Sequence, residues 1–213
     1  MQGDERLIAK NAMRYSVEHK HETRARILDA ASRLFRQEGY GGSGIGPLTK
    51  AAGVTNGAFY GHFKSKSEAF RCVVLSGLEQ LRLGIASLKS TYGDGWRRPF
   101  VDYYLGPRRT CDLGESCALP SLSPEVMRAD NDTRDAYEEA LRQLVGEVSE
   151  GLRDAAGSAR DDRAIAFLAL LSGGVTLARA VRDPVLSERI SDAVHRYAIA
   201  IAEPEDRTPQ ARL

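Results

Sequence analysis

Tyr60, His62, Lys64 and Lys66 set a hydroxyl, an imidazole and two ammonium groups at alternate positions of one short stretch. All four donate hydrogen bonds, so their shared chemistry is the binding of an anion. Half or more of the hydrogen bonds between proteins and DNA go to phosphate and sugar, which makes a phosphate backbone the natural partner. A second pair of residues is nucleophilic. Cys111 and Cys117 lie near Arg108 and Arg109, whose charge favours a thiolate at Cys111, while adjacent Asp112 opposes it. Such a thiol would sense electrophiles or oxidants, or Cys117 would simply pack as a small buried apolar residue. His19, His21 and His195 have no metal-site spacing, so neither metal nor cofactor is expected. A helical thiol enzyme would need a base such as His195 beside one of the cysteines, and nothing in the sequence brings them together. No catalytic residue is assigned.

The elements that must position these groups read as helices throughout. Ile27, Leu28, Ala30, Ala31, Leu34 and Phe35 form one apolar stripe of a helix from Thr23 to Glu38. Gly39 is expected as its left-handed terminator. A short helix follows from about Ile45 to Ala52, then a turn at Gly53 and Val54, then a second short helix from Thr55 to about Gly61. Two short helices around a tight turn have the helix-turn-helix geometry, in which the second helix enters the major groove of DNA. Thr55 reads as the N-cap of that second helix. Gly57 lies inside it, where glycine costs roughly 1 kcal/mol relative to alanine, so its missing side chain must serve close approach to DNA. Phe63 reads as core, while Phe59 is open between core and the base-facing side. Ser65 and Glu68 form a capping box for a long helix that runs to about Ser90.

Beyond it, helices are expected from Trp96 to Leu105, from Pro124 (capped by Ser123), from Thr133 to Ala156, from Arg163 to Val181 and from Ser187 to Ala202. Arg108 to Pro120 has no period and reads as an irregular loop. The helix from Arg163 to Val181 is apolar over most of its circumference and asks for neighbours on several sides. Its uncharged run is short for a bilayer and holds Ser172, Gly173, Gly174 and Thr176, so a buried or interface helix, and no membrane, is expected.

Charge is unevenly spread. Residues 1–71 carry 12 Lys and Arg against 7 Asp and Glu, whereas the remainder carries 18 against 22, so only the first third suits a polyanion. An architectural DNA-binding protein would share that basic end but not the apolar helices behind it. Three cysteines and a polar N-terminus from Gln2 to Arg6 suggest a cytoplasmic protein without a disulfide framework.

TRARILDAASRLFRQEGY followed by IGPLTKAAGVTNGAFYGHFKSKSEAF resembles the DNA-binding domain of the TetR (tetracycline-repressor) family from Thr23 to about Val74. The run AAGVTNGAFYGHFKSK, Ala51 to Lys66, is its most specific part. The resemblance implies that Thr55, Asn56, Ala58 and Phe59 lie on the recognition-helix face and that Tyr60, His62 and Lys66 contact phosphate. Gly44-Ile45-Gly46-Pro47 departs from the family, which has Ser or Thr before the aliphatic residue, so the hydroxyl cap is missing here. LALLSGGVTLARAVRDPVLSERI, Leu168 to Ile190, is similar to the last two helices of many members, which pair across a two-fold axis as a four-helix dimer interface. Leu171, Val175, Ile190, Val194, Tyr197 and Ile201 are expected at that seam. CALPSLSPEV, from Cys117, resembles a segment of members that respond to electrophiles.

The expected protein is all-α: an N-terminal extension (1–21), a three-helix helix-turn-helix DNA-binding domain (22–68), a larger helical ligand-binding and dimerisation domain (69–202) and a tail (203–213). Its expected partners are a palindromic double-stranded DNA operator, a small-molecule effector and a second copy of itself. The effector is expected in a cavity among the helices between Phe100 and Leu177.

Overall fold

The computed structural model describes residues 2–152 and 158–203, with side chains from Glu18 onward, Ser158 excepted. All regular structure among these residues is helical: α1 (Gln2–Gly42), α2 (Ile45–Ala52), α3 (Asn56–Tyr60), α4 (Lys66–Tyr92), α5 (Arg97–Leu105), α6 (Pro107–Thr110), α7 (Ala118–Val126), α8 (Asn131–Glu150), α9 (Ser158–Ala180) and α10 (Pro184–Ala202). Two 3-10 turns, Gly93–Gly95 and Leu113–Glu115, lie before α5 and α7. The chain divides into two compact units, Met1–Val73 and Val74–Leu213. The expected tail beyond Glu203 and the expected end of α8 at Ala156 lie outside the described residues.

In the N-terminal unit, α1 starts at Gln2 rather than Thr23, well ahead of its apolar stripe. Ile27, Ala31 and Phe35 of that stripe are fully buried with Leu48 of α2, Phe59 of α3 and Phe70 of α4. Phe35 meets Phe70 edge-on, with ring centroids 5.4 Å apart. Gly39 has a positive φ, but its ψ is extended (φ 74°, ψ 168°), so it kinks α1 instead of ending it. The Ser43 hydroxyl closes the last turn by donating to the Gly39 carbonyl at 2.8 Å. Gly53 is left-handed (φ 64°, ψ 37°) and sends its N–H back to α2, which makes the sharp turn into α3.

The C-terminal unit is built around α9, which packs against α5, α6, α7, α8 and α10. Its length and composition would let it cross a membrane, but here Ala164, Phe167, Leu171 and Val175 lie in the core. Trp96 and Phe100 flank Phe167 at centroid separations of 6.3 and 5.9 Å, and Tyr104 continues the row. The Trp96 indole donates to the Gly151 carbonyl at 3.2 Å. α10 lies close on α9 because Gly174 has no side chain: a Cβ there would stand 2.6 Å from a methyl of Val194.

Pro124 does not start a helix. It lies inside α7, and Ser123, instead of capping, donates to the Leu119 carbonyl or meets the Tyr137 hydroxyl at 2.6 Å. The stretch from Arg108 to Pro120, expected to be irregular, contains α6, a 3-10 turn and the start of α7. Arg179 organises it from α9, donating to the Arg109 and Cys111 carbonyls at 2.6 and 3.0 Å.

Candidate nucleic-acid interface

The turn between α2 and α3 is held by side chains that the sequence singles out. Thr55 caps α3, its hydroxyl accepting from the Ala58 N–H at 3.1 Å. Gly44, at the start of α2, makes no side-chain cap. Ser65 accepts from the Glu68 N–H at 3.1 Å, while the Glu68 carboxylate reaches past Ser65 to the Lys64 N–H at 2.6 Å, so the capping box spans one residue more than expected.

Thr55, Asn56 and Gly57 are exposed, Ala58 is half-buried and Tyr60 is 57% exposed. These residues present one outward face on a helix of a little over one turn. Phe59 does not join it. Its side chain is fully buried, 5.3 Å from the Tyr60 ring and 5.5 Å from Phe63, so it anchors α3 from beneath. On so short a helix the single inward position must hold a large apolar group, and Phe59 fills it.

His62 is half-buried. Burial first, then the charges of Lys20 and Arg24, hold its imidazole below the ordinary pKa. Lys66 is also half-buried, and burial lowers its pKa. Its ammonium donates to the Tyr40 carbonyl and stands 4.3 Å over the Tyr40 ring, so it ties α4 to the end of α1. Sequence reasoning missed this tie because Tyr40 and Lys66 are far apart along the chain. It also missed Arg24, which lies 4.9 Å over the Phe63 ring.

In the C-terminal unit, three of the six residues expected at a dimer seam are interior. Leu171 and Val175 are 1% and 2% exposed and Val194 is 9% exposed, all within the core of the chain itself. Ile190 and Ile201 are half-buried against that core, and only Tyr197, 67% exposed, faces outward. A helix apolar all round leaves the choice of inward stripe to its neighbours. Here the opposite stripe of α9, with Gly173 and Leu177, stays exposed, as do Val185 and Tyr197 of α10.

Cys117 is 5% exposed and beside the Tyr104 phenol, whose pKa burial and then the thiol push well above the ordinary value. Cys111 is half-buried; its thiol donates to the Arg108 carbonyl at 3.2 Å, and an Arg179 nitrogen lies 3.9 Å from its sulfur. Neither is in a disulfide. The interior between Phe100 and Phe167 is filled by rings. Open space of about 1230 Å³ lies instead in a groove among α7, α8 and α9, lined by Leu119, Met127, Tyr137, Leu141 and Leu177, with Arg134 and Glu138 also on its wall.

Residues 27–71 match the family model described as bacterial regulatory proteins, tetR family. Over 57 residues the chain is 51% identical to the HTH-type transcriptional regulator AcrR of Shigella flexneri, a match covering 27% of this chain and 26% of AcrR. It is 29% identical to the HTH-type transcriptional repressor NemR of Escherichia coli over 139 residues, covering 63% of this chain and 69% of NemR. The chain thus spans about a quarter of AcrR and about two thirds of NemR in these matches. The crystal structure of reduced E. coli NemR is similar in fold, with a TM-score of 0.71 at 21% identity over 85% of this chain and 98% of that one. So is FadR of Bacillus subtilis in complex with stearoyl-CoA, with a TM-score of 0.64 at 13% identity over 84% and 97%.

Proposed function

Since the chain belongs to the TetR family of bacterial regulatory proteins, we propose that it is a repressor that binds a palindromic operator as a homodimer and releases it when a small molecule binds. The observation that carries this reading is the outward face of Thr55, Asn56, Gly57 and Tyr60 over a fully buried Phe59. A single short helix reads only a few base pairs, so two copies must meet two half-sites about one helical turn, roughly 34–36 Å, apart. The exposed stripes of α9 and α10, with Leu177 and Tyr197, supply the two-fold seam, and Leu177 there also borders the groove among α7, α8 and α9.

The effector is an apolar or amphipathic molecule held in the groove among α7, α8 and α9, whose wall is mostly apolar with a few charged groups. Its binding moves α4, which contributes residues to both units, and so changes the separation of the two recognition helices. The protein works in the cytoplasm, by binding and not by turnover. Thiol-triggered release is a second reading, favoured by Arg179 beside the Cys111 sulfur.

A gel shift with the DNA upstream of the protein's own gene tests the reading. Wild type retards that DNA and protects two half-sites. A Tyr60→Phe, Lys66→Ala double variant that binds with full affinity would overturn the assignment.

A further inference from the structure

The groove among α7, α8 and α9 carries a polarity of its own. Arg134, Tyr137, Glu138 and Leu141 recur at three- and four-residue steps of α8, so they share one face and line one wall. Leu119 and Val126 of α7 are buried at its floor. Glu138 is already paired with Arg142. Asp135 also borders the groove, but it lies roughly 100° round α8 from Arg134. Among the described residues no carboxylate pairs with Arg134. The wall therefore presents one guanidinium without a counter-charge beside an apolar run. Two hydroxyls of the wall have already committed their protons. The Ser123 oxygen lies 2.5 Å from the Leu119 carbonyl and 2.6 Å from the Tyr137 hydroxyl. A carbonyl cannot donate, so both contacts are satisfied only if Ser123 donates to Leu119 and Tyr137 donates to Ser123. The Tyr137 oxygen is then left as an acceptor. Thr176 likewise sends its proton to the Ser172 carbonyl at 2.9 Å. A ligand between these walls meets a cation at Arg134 and acceptors further in.

We propose that the groove binds an amphipathic carboxylic acid, with its carboxylate on Arg134, its apolar part against Leu119, Val126 and Leu141, and a hydroxyl on that part donating to Tyr137. The proposal rests on the reading of this groove as the effector site and names the effector's class. A guanidinium suits a carboxylate because its planar fork can donate two parallel hydrogen bonds. Arg134 and Leu141 stand two turns apart, about 10 Å along α8, which is the reach of a medium chain or a pair of rings. The space of about 1230 Å³ is ample for such a molecule, since pockets for drug-sized ligands run to roughly 300–1,000 Å³.

Four probes of one chain length separate the contributions: octanoate, β-hydroxyoctanoate, octanol and octylamine. Calorimetry on the full chain should show octanoate binding about tenfold tighter than octanol or octylamine. Arg134→Gln, at an exposed position, should remove that preference while leaving octanol binding unchanged, and Arg134→Lys should restore part of it. β-Hydroxyoctanoate should bind several-fold tighter than octanoate, and Tyr137→Phe should erase the difference. A diazirine derivative of octanoate should label peptides from α7 and α8 on illumination. Octylamine binding as tightly as octanoate, or a preference for octanoate that survives Arg134→Gln, overturns the assignment. So does a folded wild type that takes up none of the probes, and if Tyr197→Glu then takes up octanoate, the occupant of the groove is the second copy. Label outside α7, α8 and α9 overturns both the class and the effector reading. Octanoate that binds through Arg134 yet leaves the protein on a duplex enriched from a random-sequence pool overturns the effector reading and leaves the site standing.

Discussion

The Thr49 hydroxyl oxygen lies 2.8 Å from the Asn56 side-chain oxygen and joins α2 to the first residue of α3. It also lies 3.1 Å from the Gly46 carbonyl. A hydroxyl has one proton, so it cannot donate to both acceptors. A half-turn of the Asn56 amide satisfies both contacts, with Nδ2 donating to Thr49 and Thr49 donating to Gly46. In that orientation Asn56 would present its oxygen outward, an acceptor suited to the amino group of cytosine or adenine in the major groove. Thr49→Val should cost about 1 kcal/mol of stability and blur the base preference at one position. Comparing duplexes substituted at each base pair reads that preference. If Asn56→Ala leaves it unchanged, Asn56 does not read a base.

Gly57 separates folding from binding. A Cβ there meets only the Thr55 hydroxyl, at an ordinary 3.8 Å, so nothing inside the protein requires glycine. Gly57→Ala should raise the melting temperature, by up to about 1 kcal/mol in stability, because alanine is the better helix former. Operator affinity should fall at the same time, as the added methyl holds α3 away from DNA. Fluorescence anisotropy and a thermal melt on one preparation check both, and undiminished affinity would mean that this face does not approach the duplex.

At the seam, residues on opposite sides of α9 and α10 should behave differently. Leu177→Glu and Tyr197→Glu alter exposed side chains and should give a folded monomer with greatly weakened operator binding. Val194→Glu should instead unfold the protein, because Val194 fills the space that Gly174 leaves and a buried unpaired charge has no counterpart there. Light scattering with helix content distinguishes the outcomes. Dimers persisting in the Leu177→Glu, Tyr197→Glu pair would place the seam elsewhere.

The thiols should differ in rate. Cys111 is half-buried with Arg179 beside it, whereas Cys117, at the start of α7, is 5% exposed. Alkylation should modify Cys111 first and reach Cys117 only as the protein opens. Because Cys72 is also half-buried, Cys111→Ser should remove the fast phase when made in a Cys72→Ser background. If inducer still releases DNA from a Cys111→Ser, Cys117→Ser variant, thiol-triggered release is excluded.

The stripe of Ile27, Ala31 and Phe35, the cap at Thr55 and the turn at Gly53 could all be read from sequence, because each is a local pattern with a local cause. The start of α1 could not. Residues before Thr23 carry no apolar stripe, yet a helix already nucleated extends cheaply into polar sequence. Phe59 was ambiguous for a related reason, since a helix of five residues is too short to show a period. The inward side of α9 depended on which helices surround it, and neither Leu171 nor Leu177 carries that information alone. The ties of Lys66 to Tyr40 and of Arg24 to Phe63 join distant parts of the chain, and spacing along the sequence does not encode them.

Trp96 is the only tryptophan in the chain, and it is 1% exposed among the rings of the C-terminal unit. Its emission therefore reports on residues 74–213 and is silent on the melting of residues 1–73. Helical ellipticity, in contrast, reports on both units. Recording the two signals in one heating run, on the unlabelled chain, shows whether the molecule melts as one cooperative body or in two steps. If ellipticity falls first, the DNA-facing unit is the weaker one, and adding the duplex should delay that first step while leaving the tryptophan transition where it was.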